Sequence, residues 1–362
     1  MKKVLFIDRD GTVITEPEDK QVDSIEKFRF IPGAITGLSK IAKETDFELV
    51  MVTNQDGLGT PSFPEETFWP GHNKMLQILK DEEVEFAEVF IDRSLPEENV
   101  PTRKPGTAML VRYLAKGIDL KNSFVIGDRI TDIELAKNLG CKAIFFSENR
   151  SADAVVSTTD WHEISRYLIS IPRTSSVERK TKETNITITL NLDGTGKNRI
   201  RTGIGFFDHM LTQIAVHGNV DLDIIAGGDT DVDAHHLIED IAICLGEAFY
   251  NALGTKKGIE RYSFVLPMDD CLAQIAVDLG GRPWLVWQAE FTGLKVGEMP
   301  TEMFYHFFKS FSDNAKCNLN IRAVGNNDHH KIEAIFKAFG RALRMAAGRS
   351  GSPEVPSTKG KI

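Results

Sequence analysis

Two groups of residues in this 362-residue chain have the types and spacing to do chemistry. The first is acidic. Asp8 and Asp10 stand in FIDRDGT, Thr53 and Asn54 in VTNQ, Lys104 in RKPG, and Asp128 and Asp132 in GDRITD. Paired carboxylates repel unless a cation binds between them or one of them holds a proton. With Mg2+ in such a site, one Asp can attack phosphorus while the other donates a proton to the leaving alkoxide. Thr53 and Asn54 offer neutral donors to a phosphate, and Lys104 a point charge for its equatorial oxygens. The second group is imidazole-rich: of nine histidines, seven lie at or beyond His209. Two HHxxE motifs stand out, His235–His236–Glu239 and His329–His330–Glu333. On a helix the first His and the Glu share a face, while adjacent histidines diverge by about 100°. One His can therefore serve one metal ion and its neighbour another. His209 and His306 complete a set of six imidazoles and two carboxylates, enough for two metal centres with open positions. Such donors suit Mn2+, Fe2+ or Zn2+ without distinguishing them. A lone DxD is mostly a turn, and a single His beside a Glu is mostly a hydrogen-bonded pair. The ordered acidic set and the repeated quartet weigh against both.

The elements that must position these residues differ along the chain. KVLFID (3–8), ELVMVT (48–53), AEVFID (87–92), SFVIGD (123–128) and KAIFFS (142–147) read as short buried strands. AITGLSKIAKET, PGHNKMLQILKDE and AMLVRYLAKG between them have helical spacing. That alternation predicts an α/β unit, a doubly wound parallel sheet whose ligands gather outside the carboxyl ends of its strands. ISIPRTSSVER then breaks the pattern and reads as a linker. Beyond it, TNITITLNLDG and NVDLDIIAGGD alternate as strands with one wet face. HHLIEDIAICLGEAFYNALG and HHKIEAIFKAFGRALRMAAG match at one constant offset. Ile238, Gly246, Ala248, Ala252 and Gly254 thereby match Ile332, Gly340, Ala342, Ala346 and Gly348. FFDHML around His209 likewise resembles FYHFF around His306. The second half is thus expected to be α+β, two duplicated half-domains related by a pseudo-twofold axis. The expected boundaries are a domain over 1–168, a linker over 169–178 and a domain over 179–362, with repeats at about 179–260 and 261–350.

Composition limits the rest. A net charge of -9 argues against a general nucleic-acid binder. Four scattered cysteines, with no CxxC pair, exclude a disulfide framework and fit a reducing cytoplasm. No apolar run reaches transmembrane length and no signal-peptide pattern opens the chain, so no membrane partner is expected.

DRDGT, VTNQ, RKP and GDRITD, in this order, resemble the haloacid-dehalogenase (HAD) phosphatase superfamily. A receiver domain also carries acidic strand ends and a Lys, but lacks the DxDGT pairing. The HAD resemblance implies Asp8 as nucleophile through an aspartyl-phosphate and Asp10 as general acid/base. It also implies Mg2+ at Asp8, Asp10 and Asp128, with Asp132 in support. FIDRDGT, TNQDGLGT and SFP further resemble the phosphatase half of bifunctional histidine-biosynthesis enzymes, which implies L-histidinol phosphate as substrate. That family typically carries a zinc loop of three Cys and one His just before RKP. IDRSLPEENVPTRKP contains neither residue, so no Zn2+ is expected. The alternatives for this half are a phosphatase of another small phosphate ester and an idle assembly module.

TKETNITI, GFFDHMLTQIAVHG, DAHHLIED, TEMFYHFF, NDHHKIEAIFKAFG and the terminal STKG resemble imidazoleglycerol-phosphate dehydratase over nearly all of 179–362. This resemblance implies two Mn2+ per site, held by His209, His235, His236, Glu239, His306, His329, His330 and Glu333. It implies substrate contacts from Glu183, a candidate acid/base, and from His217, Arg261, Arg282, Ser357 and Lys359. It implies a homo-oligomer, in the family a 24-subunit shell, in which neighbouring copies complete each site. Ala234 departs from relatives that often show an Asp there, a change expected to alter hydrogen bonding to a ligand His without abolishing metal binding. The non-enzymatic alternative is a metal-dependent scaffold.

Overall fold

The computed structural model describes residues 2–228, 234–349 and 355–357, with backbone alone for 262–265. The chain divides into two compact units, Met1–Ile171 and Pro172–Ile362.

In the first unit the strands are β1 (Lys3–Ile7), β2 (Phe47–Asn54), β3 (Glu88–Asp92), β4 (Phe124–Gly127), β5 (Lys142–Phe145) and β6 (Ala154–Ser157). The helices are α1 (Ala34–Glu44), α2 (Glu65–Asp81), α3 (Ile130–Leu139) and α4 (Trp161–Ile169). The sheet is parallel throughout, in the order β3-β2-β1-β4-β5-β6. Successive side chains of a strand point to opposite faces. Leu5 and Ile7 accordingly enter one buried cluster, and Val4 and Phe6 another. Two buried faces explain why these strands read as unbroken apolar runs. The chain winds outward from β1 in one direction and from β4 in the other, so the crevice beside β1 is the topological switch point. The α/β class expected for this half is the one observed.

Three local readings need correction. α2 starts at Glu65 rather than at Pro70, because a proline in the second turn sacrifices only one early helical hydrogen bond. The stretch 108–114 winds as a 3₁₀ helix, with only Leu110 and Tyr113 buried. β6 was not anticipated; its residues are intermediate or exposed, which hides an edge strand from an apolar-run criterion.

The second unit runs β7 (Thr174–Lys180), β8 (Thr184–Asn191), β9 (Asn198–Arg201), α5 (Gly205–Gly218), β10 (Asp221–Gly228) and α6 (His235–Leu253). It then repeats as β11 (Tyr262–Met268), β12 (Cys271–Asp278) and β13 (Trp284–Ala289). The short pair β14 (Lys295–Val296) and β15 (Met299–Pro300) follows, then α7 (Glu302–Ala315), β16 (Asn318–Val324) and α8 (Asp328–Ala347). Its two four-stranded sheets have matching orders, β7-β8-β10-β9 and β11-β12-β16-β13, so the duplicated α+β architecture is present. The second half of the segment expected as a linker is instead the start of β7, which pairs antiparallel with β8 from Thr174 to Lys180. Val177 is its one buried residue, so the polar edge strand has the texture of a connection.

Both repeats share one hydrophobic core, and the helices pair across them: α6 packs on α7, and α5 on α8. The repeat-matched glycines make this possible. A Cβ on Gly246 would lie 2.7 Å from the Phe311 carbonyl oxygen, and one on Gly340 would lie 2.9 Å from that of Ile214.

Candidate active sites in the two units

At the carboxyl edge of the first sheet, Asp8 directly follows β1 and Asp128 directly follows β4, while Asp132 stands in the first turn of α3. One carboxylate oxygen from each of the three lies within 4.8 Å of the others. The buried Lys104 ammonium donates to Asp8 Oδ1 at 2.5 Å and to Asp132 Oδ1 at 2.7 Å. Asn54 fixes the Lys104 backbone, accepting from its N–H at 3.1 Å. Burial, reinforced by Asp8 and then Asp132, pushes Asp128 up to about 7, and burial, aided by Asp8, pushes Asp132 up to about 6 despite Lys104. Burial lowers the Lys104 pKa, but Asp132 and Asp8 outweigh it and hold the ammonium protonated. Asp128 Oδ1 is buried without a hydrogen-bond partner. A crowded set of acceptors, one of them orphaned, fits a hard divalent cation.

Asp10, expected as a ligand, is not one of this trio. It accepts from Gln55 Nε2 at 2.5 Å, Arg9 Nη1 at 3.2 Å and Thr53 Oγ1 at 3.4 Å. Burial raises its pKa, against the pull of Arg9. Thr53 therefore holds Asp10 and Asn54 holds Lys104, so the two predicted phosphate donors brace other site residues. Arg9 and Gln55 were missed by sequence reasoning, although both lie inside the quoted motifs. Arg9 is completely buried, its guanidinium 4.7 Å from the Phe68 ring centre, and Phe68 stacks on the buried His72.

In the second unit six of the eight expected ligands fall into two crossed clusters. Glu239 of α6 receives His235 of the same helix (Nε2–Oε1 3.3 Å) and His306 of α7 (Nδ1–Oε1 2.9 Å). Glu333 of α8 receives His329 (Nε2–Oε2 3.3 Å) and His209 of α5 (Nε2–Oε1 3.9 Å). Each cluster thus takes a helix from either repeat, which the sequence periodicity alone does not specify. The donor atoms of His235, Glu239 and His306 all lie within 4.8 Å of one another, as a shared ion requires. His236 and His330 turn to the other side, as their 100° offset predicts. His236 Nδ1 lies 3.3 Å from Glu183 Oε2, and His330 Nδ1 lies 3.1 Å from Asp270 Oδ1. The Asn327 side chain caps α8 by accepting from the N–H groups of His329 and His330. Asp270 escaped the sequence reading because an acidic pair at a two-residue hairpin tip looks like turn chemistry, and Asp269 does adopt φ 47° there.

The described substrate candidates lie on several elements. His217 closes α5 near Lys337 and Arg341 of α8; burial and these two cations lower its pKa. Lys337 also donates to Glu333 Oε1 at 2.9 Å, a basic residue that the motif reading passed over. Arg261 binds Asp278 through Nε at 2.6 Å and Nη2 at 3.0 Å, and its Nη1 donates to the Pro356 carbonyl at 2.7 Å. That bond places the described tail residues 355–357 beside Arg261. Arg282 follows β12, with its carbonyl accepting from Asn318. Lys359 lies outside the described residues. Ala234 immediately precedes α6 with no side-chain cap.

The acidic strand ends on a doubly wound sheet define a HAD-like hydrolase unit, and the duplicated histidine-bearing half defines a second enzyme unit. Comparison with known proteins agrees. Residues 202–343 match the imidazoleglycerol-phosphate dehydratase family, and residues 101–164 match the HAD-hydrolase-like family. The histidine biosynthesis bifunctional protein HisB of Spirosoma linguale is 57% identical over 382 residues, covering 100% of both chains. The protein of the same name from Bacteroides fragilis is 57% identical over 372 residues, again with 100% of each covered. The crystal structure of imidazoleglycerol-phosphate dehydratase from Staphylococcus aureus is 38% identical, covering 48% of this chain and 97% of its own, with a TM-score of 0.44. The chain belongs to the HisB family of bifunctional histidine-biosynthesis enzymes, a hydro-lyase joined to a phosphatase. Among the described residues no helix is long and apolar enough to cross a membrane.

Proposed function

We propose that the second unit dehydrates imidazole-glycerol phosphate to imidazole-acetol phosphate, and that the first hydrolyses L-histidinol phosphate to L-histidinol, both in the cytoplasm. The observation that carries the reading is the coexistence, in one chain of this family, of a Lys104-bridged aspartate cluster and two crossed clusters that each join a pair of histidines to a glutamate.

In the first unit Asp8, Asp128 and Asp132 would hold Mg2+, which would supply charge neutralisation for the phosphoryl oxygens. Asp8 attacks phosphorus, the P–O bond to the histidinol oxygen breaks, and Asp10 donates its proton to that leaving oxygen. Asp10 then takes a proton from the water that hydrolyses the aspartyl-phosphate, which restores both residues. Lys104 keeps the Asp8 oxygen oriented and offsets charge on the transferred group.

In the second unit His209, His235, His236, Glu239, His306, His329, His330 and Glu333 would hold two Mn2+ per site, and the ions would supply Lewis-acid polarisation of the substrate imidazole. The hydroxyl next to the ring leaves with the ring N–H proton as water, giving a diazafulvene-like intermediate. Glu183, exposed at a hairpin tip, removes the neighbouring C–H proton, and the resulting enol becomes the ketone. His217 and Lys337, with Arg261, Arg282, Ser357 and Lys359, bind the phosphate. His236 and His330 face away from the two clusters, which favours sites completed by neighbouring copies in a 24-subunit homo-oligomer. Leu294 and Trp284, 90% and 67% exposed, supply apolar surface for such contacts.

Phosphate release from histidinol phosphate tests the first assignment, with wild type expected to turn over and Asp8→Asn to be silent. No release by wild type refutes the substrate, and equal release by both refutes Asp8 as nucleophile. Dehydratase turnover that survives complete metal stripping, or persists in full in His235→Ala, refutes the second.

A further inference from the structure

The pseudo-twofold duplication makes the two hairpin tips equivalent. Glu183 directly precedes β8 in the first repeat, and Asp270 directly precedes β12 in the second. Each faces Nδ1 of the second histidine of its HH pair, His236 and His330 respectively. Their settings differ. Asp270 is clamped: its Oδ2 accepts from the backbone N–H of Asn326 at 2.7 Å and of Asn327 at 3.2 Å. Those two donors belong to the loop that leads into α8 and caps it through Asn327. The other oxygen, Oδ1, is thereby aimed at His330. Glu183 sits on a longer side chain that is 57% exposed, against 36% for Asp270.

We propose that Asp270 is a positioning residue that fixes the tautomer and ring orientation of His330 for metal binding, while its repeat-mate Glu183 is left mobile for proton transfer. This inference rests on the reading of His330 as a metal ligand. A neutral imidazole carries one N–H, and a carboxylate is only an acceptor. Asp270 Oδ1 therefore draws the proton to His330 Nδ1 and leaves the Nε2 lone pair directed outward. Ligating histidines are generally oriented through their second nitrogen in this way, and loss of that partner typically costs tenfold to a hundredfold in metal affinity.

The clamp makes Asp270→Asn a discriminating variant. The two backbone donors at Oδ2 require an acceptor, so the Asn carbonyl oxygen takes that position and its NH2 group faces His330. An amide donor there favours the lone pair on Nδ1 and the proton on Nε2, the wrong tautomer for ligation, while one anchor to the loop survives. Asp270→Ala removes both functions.

The test titrates the metal-stripped full chain with Mn2+, following the free ion by electron paramagnetic resonance, in an Asp128→Asn background that weakens the first unit's cluster. Wild-type and His330→Ala second units define the tight binding that depends on His330. Asp270→Asn is expected to weaken that component tenfold to a hundredfold, with the metal-free melting temperature unchanged. Unchanged Mn2+ binding in both Asp270→Asn and Asp270→Ala overturns the inference while leaving His330 as a ligand. Weaker binding only in proportion to a lowered metal-free melting temperature overturns it in favour of a purely structural clamp. If His330→Ala binds Mn2+ as wild type does, the ligand reading fails and the inference with it.

Discussion

Gly246→Ala tests whether close helix packing sets the geometry of the first histidine cluster. The added methyl would sit 2.7 Å from the Phe311 carbonyl oxygen and 3.0 Å from the Ala315 nitrogen, both backbone atoms of α7. Backbone cannot rotate out of the way, so α6 and α7 must part by about 0.7 Å to bring the closest contact to 3.4 Å. Overpacking of this kind costs about 1–3 kcal/mol. Alanine's better helix propensity offsets about 1 kcal/mol. The net expectation is a loss of about 1 kcal/mol, or about 2–4 °C in the melting of a unit of this size. The His306–Glu239 contact of 2.9 Å crosses the widened seam. Mn2+ binding by that cluster should accordingly weaken about fivefold, the equivalent of ~1 kcal/mol. Calorimetry and metal titration read the two effects, with Gly227→Ala as the control, since nothing lies within 4 Å of a Cβ there. A Gly246→Ala protein that melts higher than wild type and binds Mn2+ normally would refute the packing argument.

Two further outcomes concern the first unit. Burial, assisted by Arg9, depresses the His72 pKa to about 4 in the folded state, from an ordinary value of 6.5. The unfolded chain then binds the extra proton between those values, so the contribution of neutral His72 is full above pH 6.5 and is lost as pH falls towards 4, by about 3 kcal/mol in all. Urea unfolding across pH 4–7 should show this slope, and His72→Leu should flatten it; an identical slope in the variant would remove His72 as its source. Lys104→Met leaves the buried Asp8 and Asp132 carboxylates without their shared cation. It should destabilise the unit by about 3–5 kcal/mol and abolish phosphate release, with Mg2+ recovering part of the stability but no activity. Stability equal to wild type in metal-free buffer would contradict the bridging role.

What the sequence makes legible follows from how each element is buried. β1, β2 and β4 are covered on both faces and read as apolar runs, whereas β6 and β7 lie at sheet edges and bury almost nothing. The DxD and HHxxE residues are recognisable because their spacing is itself the chemistry. Partners that meet only through tertiary packing are not. Gln55 holding Asp10, His306 crossing to Glu239, and Asp270 behind His330 depend on contacts 45, 67 and 60 positions apart. Asp10 shows the limit from the other side: adjacency to Asp8 suggested a common ion, but nearby backbone positions send the two carboxylates to different neighbours.

The crossed pairing of α6 with α7 and α5 with α8 has an ancestral consequence. A single repeat owns an HHxxE helix and a lone-histidine helix, yet in this fold the two do not serve the same cluster. An unduplicated ancestor could have assembled these clusters only as a symmetric pair of chains, each lending its lone histidine to the other's glutamate. Joining the two copies made that exchange intramolecular and independent of concentration, and it freed the two halves to diverge. A break introduced between α6 and β11 should therefore yield fragments that hold no complete cluster alone and regain both on mixing.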